Sequence, residues 1–266
     1  MTAPITLNRL RQMKEQGEKI ACLTAYDASF ARLLDGAGVE VTLVGDSLGM
    51  VIQGHKTTVP VTMEDMVYHS RAVAQGNQRA LLMVDMPFMA CPTVELALIN
   101  ATRLMQAGGA QVVKLEGSGV QLEIVTELAR RSIPVCAHLG LQPQSVHKLG
   151  GYRVQGRETA AAKAMLDNAM ELAKAGADLL LLECVPAALA AEITESVAIP
   201  VIGIGAGPAC DGQVLVLHDI LGVTPGKPPR FSKDFMAEAG SIQAAVAAYV
   251  EQVKAGTFPG EAHLFS

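Results

Sequence analysis

Two stretches of this chain repeat one pattern. Gly109-Ala110-Gln111-Val112-Val113-Lys114-Leu115-Glu116 and Gly176-Ala177-Asp178-Leu179-Leu180-Leu181-Leu182-Glu183 both read Gly-Ala-x-apolar-apolar-x-Leu-Glu. Ile-Pro-Val follows each, 17 and 16 residues after its Glu (Ile133-Pro134-Val135 and Ile199-Pro200-Val201). A strand, a helix and the next strand thus recur as a unit. Comparable apolar runs stand at Ile20–Thr24, Val41–Gly45, Ala80–Asp85, Gln111–Glu116, Pro134–His138, Asp178–Glu183 and Pro200–Gly203. They are apolar on both parities, as strands of a parallel sheet covered on both faces must be.

Helical signals fill the intervals. After Asp27, residues Phe30, Leu33, Leu34 and Ala37 keep i, i+3, i+4, i+7 spacing, and Gly38 is the stop signal. Thr62 and Thr93 are N-cap candidates for helices over 63–75 and 94–107. Ser118 with Gln121 forms a capping-box pattern for a helix reaching about Arg131. Such alternation predicts the α/β class. Near-equivalent units suit a closed (β/α)8 barrel (a TIM barrel) better than an open sheet, whose central and edge strands differ. We expect one barrel domain over residues 1–266, with an extra helix within residues 1–19. The eighth strand is the least marked: Val214–Asp219 is the best candidate, although its apolar run suits a helix equally well.

The net charge of −5, without a Lys/Arg cluster, argues against a nucleic-acid partner. The longest apolar runs are strand-length, so no membrane span is expected. The N-terminal residues are polar and carry no signal-peptide core. Five scattered cysteines make no C-x-x-C pair and suit a reducing cytoplasm better than a disulfide framework.

Four strand-like runs end in a carboxylate: Asp46, Asp85, Glu116 and Glu183. A fifth ends in His138. In a parallel barrel all strand C-termini share one face, so these residues meet there. One acid alone reads as a cap or turn residue. Four together repel one another unless a cation neutralises them or some stay protonated. Oxygen ligands suit a hard ion such as Mg²⁺, which keeps several positions for water and substrate. Lys114 lies two residues before Glu116, on the same face of the strand, where the repeat has Leu181. Two readings fit it: a buried Lys–Glu pair, or a cation for a substrate oxyanion or carboxylate. His138 is either a ligand contact or a satisfied core histidine. Ser47, directly after Asp46, offers a hydroxyl and an N–H to a substrate carboxylate. Gly203-Ile204-Gly205-Ala206-Gly207 lacks the dinucleotide fingerprint; it could cradle a phosphate or let backbone pass close to a neighbouring loop. A metal, a cation and spare carboxylates together suggest enolate chemistry on a 2-oxo acid.

Several strings resemble the ketopantoate hydroxymethyltransferase family over nearly the whole chain. They are Thr24-Ala25-Tyr26-Asp27, Val44-Gly45-Asp46-Ser47-Leu48-Gly49-Met50, Asp85-Met86-Pro87-Phe88-Met89 and Val113-Lys114-Leu115-Glu116-Gly117. Further along stand His138-Leu139-Gly140-Leu141-Gln142-Pro143-Gln144-Ser145, Gly150-Gly151-Tyr152-Arg153-Val154-Gln155-Gly156-Arg157 and Ile202-Gly203-Ile204-Gly205-Ala206-Gly207. The resemblance implies a barrel of the phosphoenolpyruvate/pyruvate type, acting in pantothenate and coenzyme A biosynthesis. It implies one Mg²⁺ per subunit on Asp46 and Asp85, with Glu116 reaching the metal through water. It implies 3-methyl-2-oxobutanoate contacts from Asp46, Ser47, Asp85 and Lys114, and Glu183 as the general base. The metal-held enolate would take its one-carbon unit from 5,10-methylenetetrahydrofolate, giving 2-dehydropantoate. The resemblance also implies a cytoplasmic homodecamer. Three rivals make different demands. Another metal-dependent 2-oxo acid lyase or aldolase would need no folate. A Schiff-base enzyme would use Lys114. A non-catalytic binding barrel would respond to no metal.

Overall fold

A computed structural model describes residues 3–224 and 226–265 of the chain. Eight strands are hydrogen-bonded in sequence order, β1-β2-β3-β4-β5-β6-β7-β8, and β8 returns to β1, so the sheet closes. The strands are β1 (Ile20–Thr24), β2 (Val41–Val44), β3 (Leu81–Asp85), β4 (Val112–Glu116), β5 (Val135–Gly140), β6 (Leu179–Glu183), β7 (Val201–Ile204) and β8 (Gly212–Leu215). All neighbouring pairs are parallel. Buried residues run along both faces of the strands, which explains their unbroken apolar character.

Helices fill the crossovers: α1 (Leu7–Glu15), α2 (Ala28–Gly36), α3 (Leu48–Val51), α4 (Met63–Gly76), α5 (Val94–Gln106) and α6 (Gln121–Arg130). The second half adds α7 (Val146–Leu149), α8 (Thr159–Ala175), α9 (Ala187–Ser196), α10 (Leu217–Ile220), α11 (Met236–Ala239) and α12 (Ile242–Lys254). Asp27 caps α2 by accepting from Ser29 and Phe30 N–H groups, and Thr93 caps α5. Thr62 and Asp65 make a full capping box on α4. The expected leading helix is α1. Its Arg11 pairs with Asp178 and its Lys14 with Asp211. Those acids also accept from the N–H groups of Val135 and Val201, so α1 seals the N-terminal end of the barrel. Tyr249 of α12 locks the closing seam by donating to the carbonyls of Cys22 in β1 and Gln213 in β8. No described helix is long and apolar enough to cross a membrane.

Two expectations need correction. β8 lies at Gly212–Leu215 rather than Val214–Asp219, and Leu217–Ile220 winds into α10. The strand starts on a glycine because a Cβ at Gly212 would sit 2.6 Å from the Ile20 carbonyl oxygen. It ends where the Leu217 N–H turns aside to Thr24 Oγ1. Nor does Ser118 cap α6: the helix begins at Gln121 behind Val120, with no side-chain cap. Gly117 (φ +107°) and Gly119 (φ +64°) turn the chain there instead, and the Ser118 main-chain carbonyl accepts from Gln121.

Candidate active site

The strand C-termini open into a cavity of about 440 Å³. Asp46, Ser47, Asp85, Lys114, Glu116 and Glu183 all line it, as does His138. β3 and β4 are in register at Asp85 and Lys114, so the two side chains are neighbours across the sheet. The Lys114 ammonium donates to Asp85 Oδ1, and both side chains are buried. The lysine is therefore paired across strands, not with Glu116 two residues along its own. Asp85 Oδ2 accepts from the Asp46 N–H at 3.0 Å. Gly45 makes that approach possible, because a Cβ there would stand 2.9 Å from Ser47 Oγ and 3.4 Å from Asp85 Oδ2. Ser47 Oγ in turn shares a 2.9 Å hydrogen bond with the Tyr26 hydroxyl.

The other half of the site is built by β4, β5 and β6. The register sets Glu116 beside His138 and Gly140 beside Glu183. His138 Nδ1 is 3.6 Å from Glu116 Oε1, and its Nε2 is 3.4 Å from Glu183 Oε2. Neither nitrogen is aligned for a hydrogen bond, so His138 is not a satisfied core histidine. Among the described residues the Glu183 carboxylate has no lysine, arginine or hydrogen-bond partner. The residue after it, Cys184, has φ +49°, a left-handed conformation unusual for a side chain of that kind.

Burial sets the protonation of these groups. It pushes Asp46 up to about 7, helped by the Asp85 charge and opposed by Lys114 and Gln144. Glu116 is pushed well above the usual carboxylate range, by burial first and then by Asp46. Glu183 is pushed up to about 8 by burial, with Lys114 opposing and Asp85 adding. Burial also works against charge on Lys114, but the Asp85, Glu116 and Asp46 carboxylates outweigh it and hold the ammonium above the ordinary lysine value. His138 is held neutral by burial and by Lys114. Lys114 is the only buried lysine or arginine among the described residues. Four carboxyl groups around one ammonium form a donor set that a hard divalent cation would neutralise. Among the described residues, no three His, Cys, Asp or Glu side chains are arranged to hold a metal ion. Asp46 and Asp85 both line the cavity, so an ion seated on them would need water and substrate oxygens to complete its shell.

Gln144 is a member of the site that residue-type reasoning passed over. Its Nε2 donates to Asp46 Oδ2 at 2.8 Å and to the Met86 carbonyl at 3.0 Å. Its backbone N–H donates to Glu116 Oε2 at 3.1 Å. One glutamine thus ties two of the acids together. The signal available was a polar residue just beyond the His138 strand. The glycine-rich stretch serves close packing: at Gly205 (φ +60°) a Cβ would come within 3.0 Å of both the Phe231 and Phe265 rings.

A closed parallel barrel with acids gathered at its strand C-termini defines the (β/α)8 enzymes. Solved structures agree on the fold. 2,3-Dimethylmalate lyase, a PEP mutase/isocitrate lyase superfamily member, superposes with a TM-score of 0.59 at 16% identity, covering 96% of this chain and 89% of that one. Phosphoenolpyruvate phosphomutase from Streptomyces platensis gives 0.62 at 14%, over 81% and 82%. Sequence goes further: the ketopantoate hydroxymethyltransferase family profile matches residues 4–261, and the chain belongs to that family. The 3-methyl-2-oxobutanoate hydroxymethyltransferase of Alkalilimnicola ehrlichii is 66% identical over 98% of this chain and 95% of its own length. That of Marinobacter nauticus is 60% identical, with 98% of each covered.

Proposed function

We propose that the chain transfers a hydroxymethyl group from 5,10-methylenetetrahydrofolate to 3-methyl-2-oxobutanoate, forming 2-dehydropantoate and tetrahydrofolate. Family membership supports the reaction, and one observation carries the mechanism. Glu183 is a largely buried carboxyl with no lysine or arginine partner among the described residues, on a strand apart from the Asp85–Lys114 pair. A base must stand free of the groups that bind the substrate oxygens, and a raised pKa suits a glutamate for proton abstraction near neutral pH.

In this reading Asp46 and Asp85 would hold Mg²⁺, and Glu116 would support it from the second rank. When bound, the ion would act as a Lewis acid on the 2-oxo group. Lys114 and Ser47 orient the substrate's oxygens. Glu183 takes the C3 proton, and the C3 carbon forms its new bond to the one-carbon unit of the folate. Both carbon–nitrogen bonds of the methylene bridge break, one as C3 attacks and the other as water supplies the hydroxyl oxygen. The C3 proton and one water proton end on the two folate nitrogens, and tetrahydrofolate leaves. Neutral His138 stands between Glu116 and Glu183 and keeps the base off the metal side.

The reading extends to a cytoplasmic homo-oligomer, a decamer by family likeness. The exposed apolar side chains Tyr68, Leu96 and Ile99 on α4 and α5 support self-association. The lyase alternative rests on relatives that share only the fold. One assay tests the function: 2-dehydropantoate should form from both substrates with Mg²⁺ and stop on adding a chelator. Turnover of the 2-oxo acid without folate would favour the lyase instead.

A further inference from the structure

The 2-oxo acid needs only a corner of the cavity, the one bounded by β2, β3 and β4. A space of about 440 Å³ falls in the range that encloses a drug-sized ligand. On the β7–β8 side its walls change character. Ile204, Leu215, Val216, Phe231 and Phe265 make them apolar. One carboxylate interrupts them. Asp219 is carried on α10 and is 8% exposed. Thr224 Oγ1 donates to its Oδ1 at 2.6 Å, and its Oδ2 makes no hydrogen bond among the described residues. A buried carboxylate that is only half satisfied favours a ligand presenting N–H donors.

The rim completes the pattern. Lys227 and Arg230 line the same cavity and are exposed at its mouth. Among the described residues neither forms an ion pair. Arg230 lies over the Phe265 ring, 5.7 Å from its centroid, and donates to the Ala262 carbonyl. The wall therefore combines a buried acceptor, apolar aromatic side chains and two exposed cations. A reduced folate offers the complement: an aminopyrimidinone edge with adjacent N–H donors, an aryl ring, and a glutamate tail.

We propose that this wall is the folate subsite: Asp219 takes the aminopyrimidinone edge, Phe231 and Phe265 flank the rings, and Lys227 and Arg230 take the tail carboxylates. The proposal rests on the reading above that the chain uses a reduced folate. The shared cavity brings the one-carbon unit toward Glu183 and the 2-oxo acid.

Calorimetry with tetrahydrofolate reads the subsite without turnover. Asp219→Asn preserves the acceptor for Thr224 but turns the open oxygen into a donor that opposes the pterin's own N–H groups. Tetrahydrofolate affinity should fall about 10- to 100-fold, as for a lost charge-assisted hydrogen-bond pair. Mg²⁺-dependent binding of 3-methyl-2-oxobutanoate reports whether the variant is folded. The double variant K227A/R230A should weaken tetrahydrofolate about 10-fold and leave tetrahydropterin, which has no tail, unaffected. Wild-type affinity in D219N overturns the proposal. If D219N does not fold, a double variant that binds both pterins like the wild type overturns it equally. Asp219-dependent folate binding by a chain that makes no 2-dehydropantoate would remove the reaction and keep the subsite. A wild-type chain that takes no tetrahydrofolate removes both.

Discussion

Lys114 and Asp85 occupy facing positions on adjacent strands, and the ammonium of one is hydrogen-bonded to the carboxylate of the other inside the barrel mouth. The pair is almost fully buried, with side chains 6% and 5% exposed. Removing one member leaves the other charge uncompensated, at a cost of about 3–5 kcal/mol. Lys114→Met should therefore destabilise the metal-free protein by about that much, measured by urea unfolding. Mg²⁺ on Asp85 would supply the missing positive charge, so adding it should stabilise the variant more than the wild type. An equal effect of Mg²⁺ on both would separate Asp85 from the metal.

The same pairing bears on the Schiff-base alternative. A lysine attacks a carbonyl only as the free amine, and here three carboxylates favour the ammonium. Borohydride treatment in the presence of the 2-oxo acid should leave the protein mass unchanged. A substrate-sized adduct on Lys114 would overturn the enolate mechanism.

Glu183 stands apart from that pair, and its role separates cleanly from binding. Glu183→Gln should keep affinity for Mg²⁺ and the 2-oxo acid within about threefold, while abolishing deuterium exchange at C3. The pH dependence follows in sign. The base works only when ionised, so wild-type exchange should fall as pH drops through its pKa. Burial pushes that value up to about 8, and bound positive charge draws it back toward the ordinary glutamate range. The acid limb should lie between these bounds. Retained exchange in E183Q, or a rate flat from about pH 5 to 9, would remove Glu183 from the mechanism.

Much of this architecture is written locally. The apolar runs and the Asp27, Thr62 and Thr93 caps depend on a few adjacent residues, and they fold as their patterns require. The gathering of Asp46, Asp85, Lys114, Glu116 and Glu183 is also legible, since closure puts every strand end on one face. What escaped is set by contacts between distant segments. β8 begins at Gly212 because Ile20 lies against it, and α6 starts after a glycine turn rather than at Ser118. Lys114 chooses Asp85 over Glu116 through the β3–β4 register. Gln144 joins the site from a loop whose path no periodicity encodes.

The metal arrangement makes its own demand. If two carboxylates hold the ion directly and Glu116 only through water, their losses should be unequal. Asp85→Ala should abolish Mg²⁺ binding measured by calorimetry with the 2-oxo acid present. Glu116→Gln should weaken it by about 10- to 100-fold, the scale of outer-shell partners. Equal loss in the two variants would make Glu116 a direct ligand.

Gly140 offers a test of how the barrel wall aims the base. It lies beside Glu183 in the β5–β6 register, at φ +93°. A Cβ there would sit 2.2 Å from the Glu183 carbonyl oxygen and 2.7 Å from Val185 Cγ2. That carbonyl also accepts from the Leu141 N–H at 2.7 Å, so the end of β6 has little room to yield. Gly140→Ala should cost about 1–3 kcal/mol in unfolding and slow C3 exchange in the molecules that remain folded. Gly176→Ala is the control: its φ is +109° and its Cβ would meet Ala129, away from the cavity lining. It should lower stability to a similar degree and leave exchange unchanged. Because Asp46 lies just beyond the end of β2 and Asp85 ends β3, away from the β5–β6 seam, Mg²⁺ binding should survive in both variants. If Gly140→Ala lost stability yet exchanged C3 as fast as Gly176→Ala, the β5–β6 seam would hold the fold without aiming Glu183.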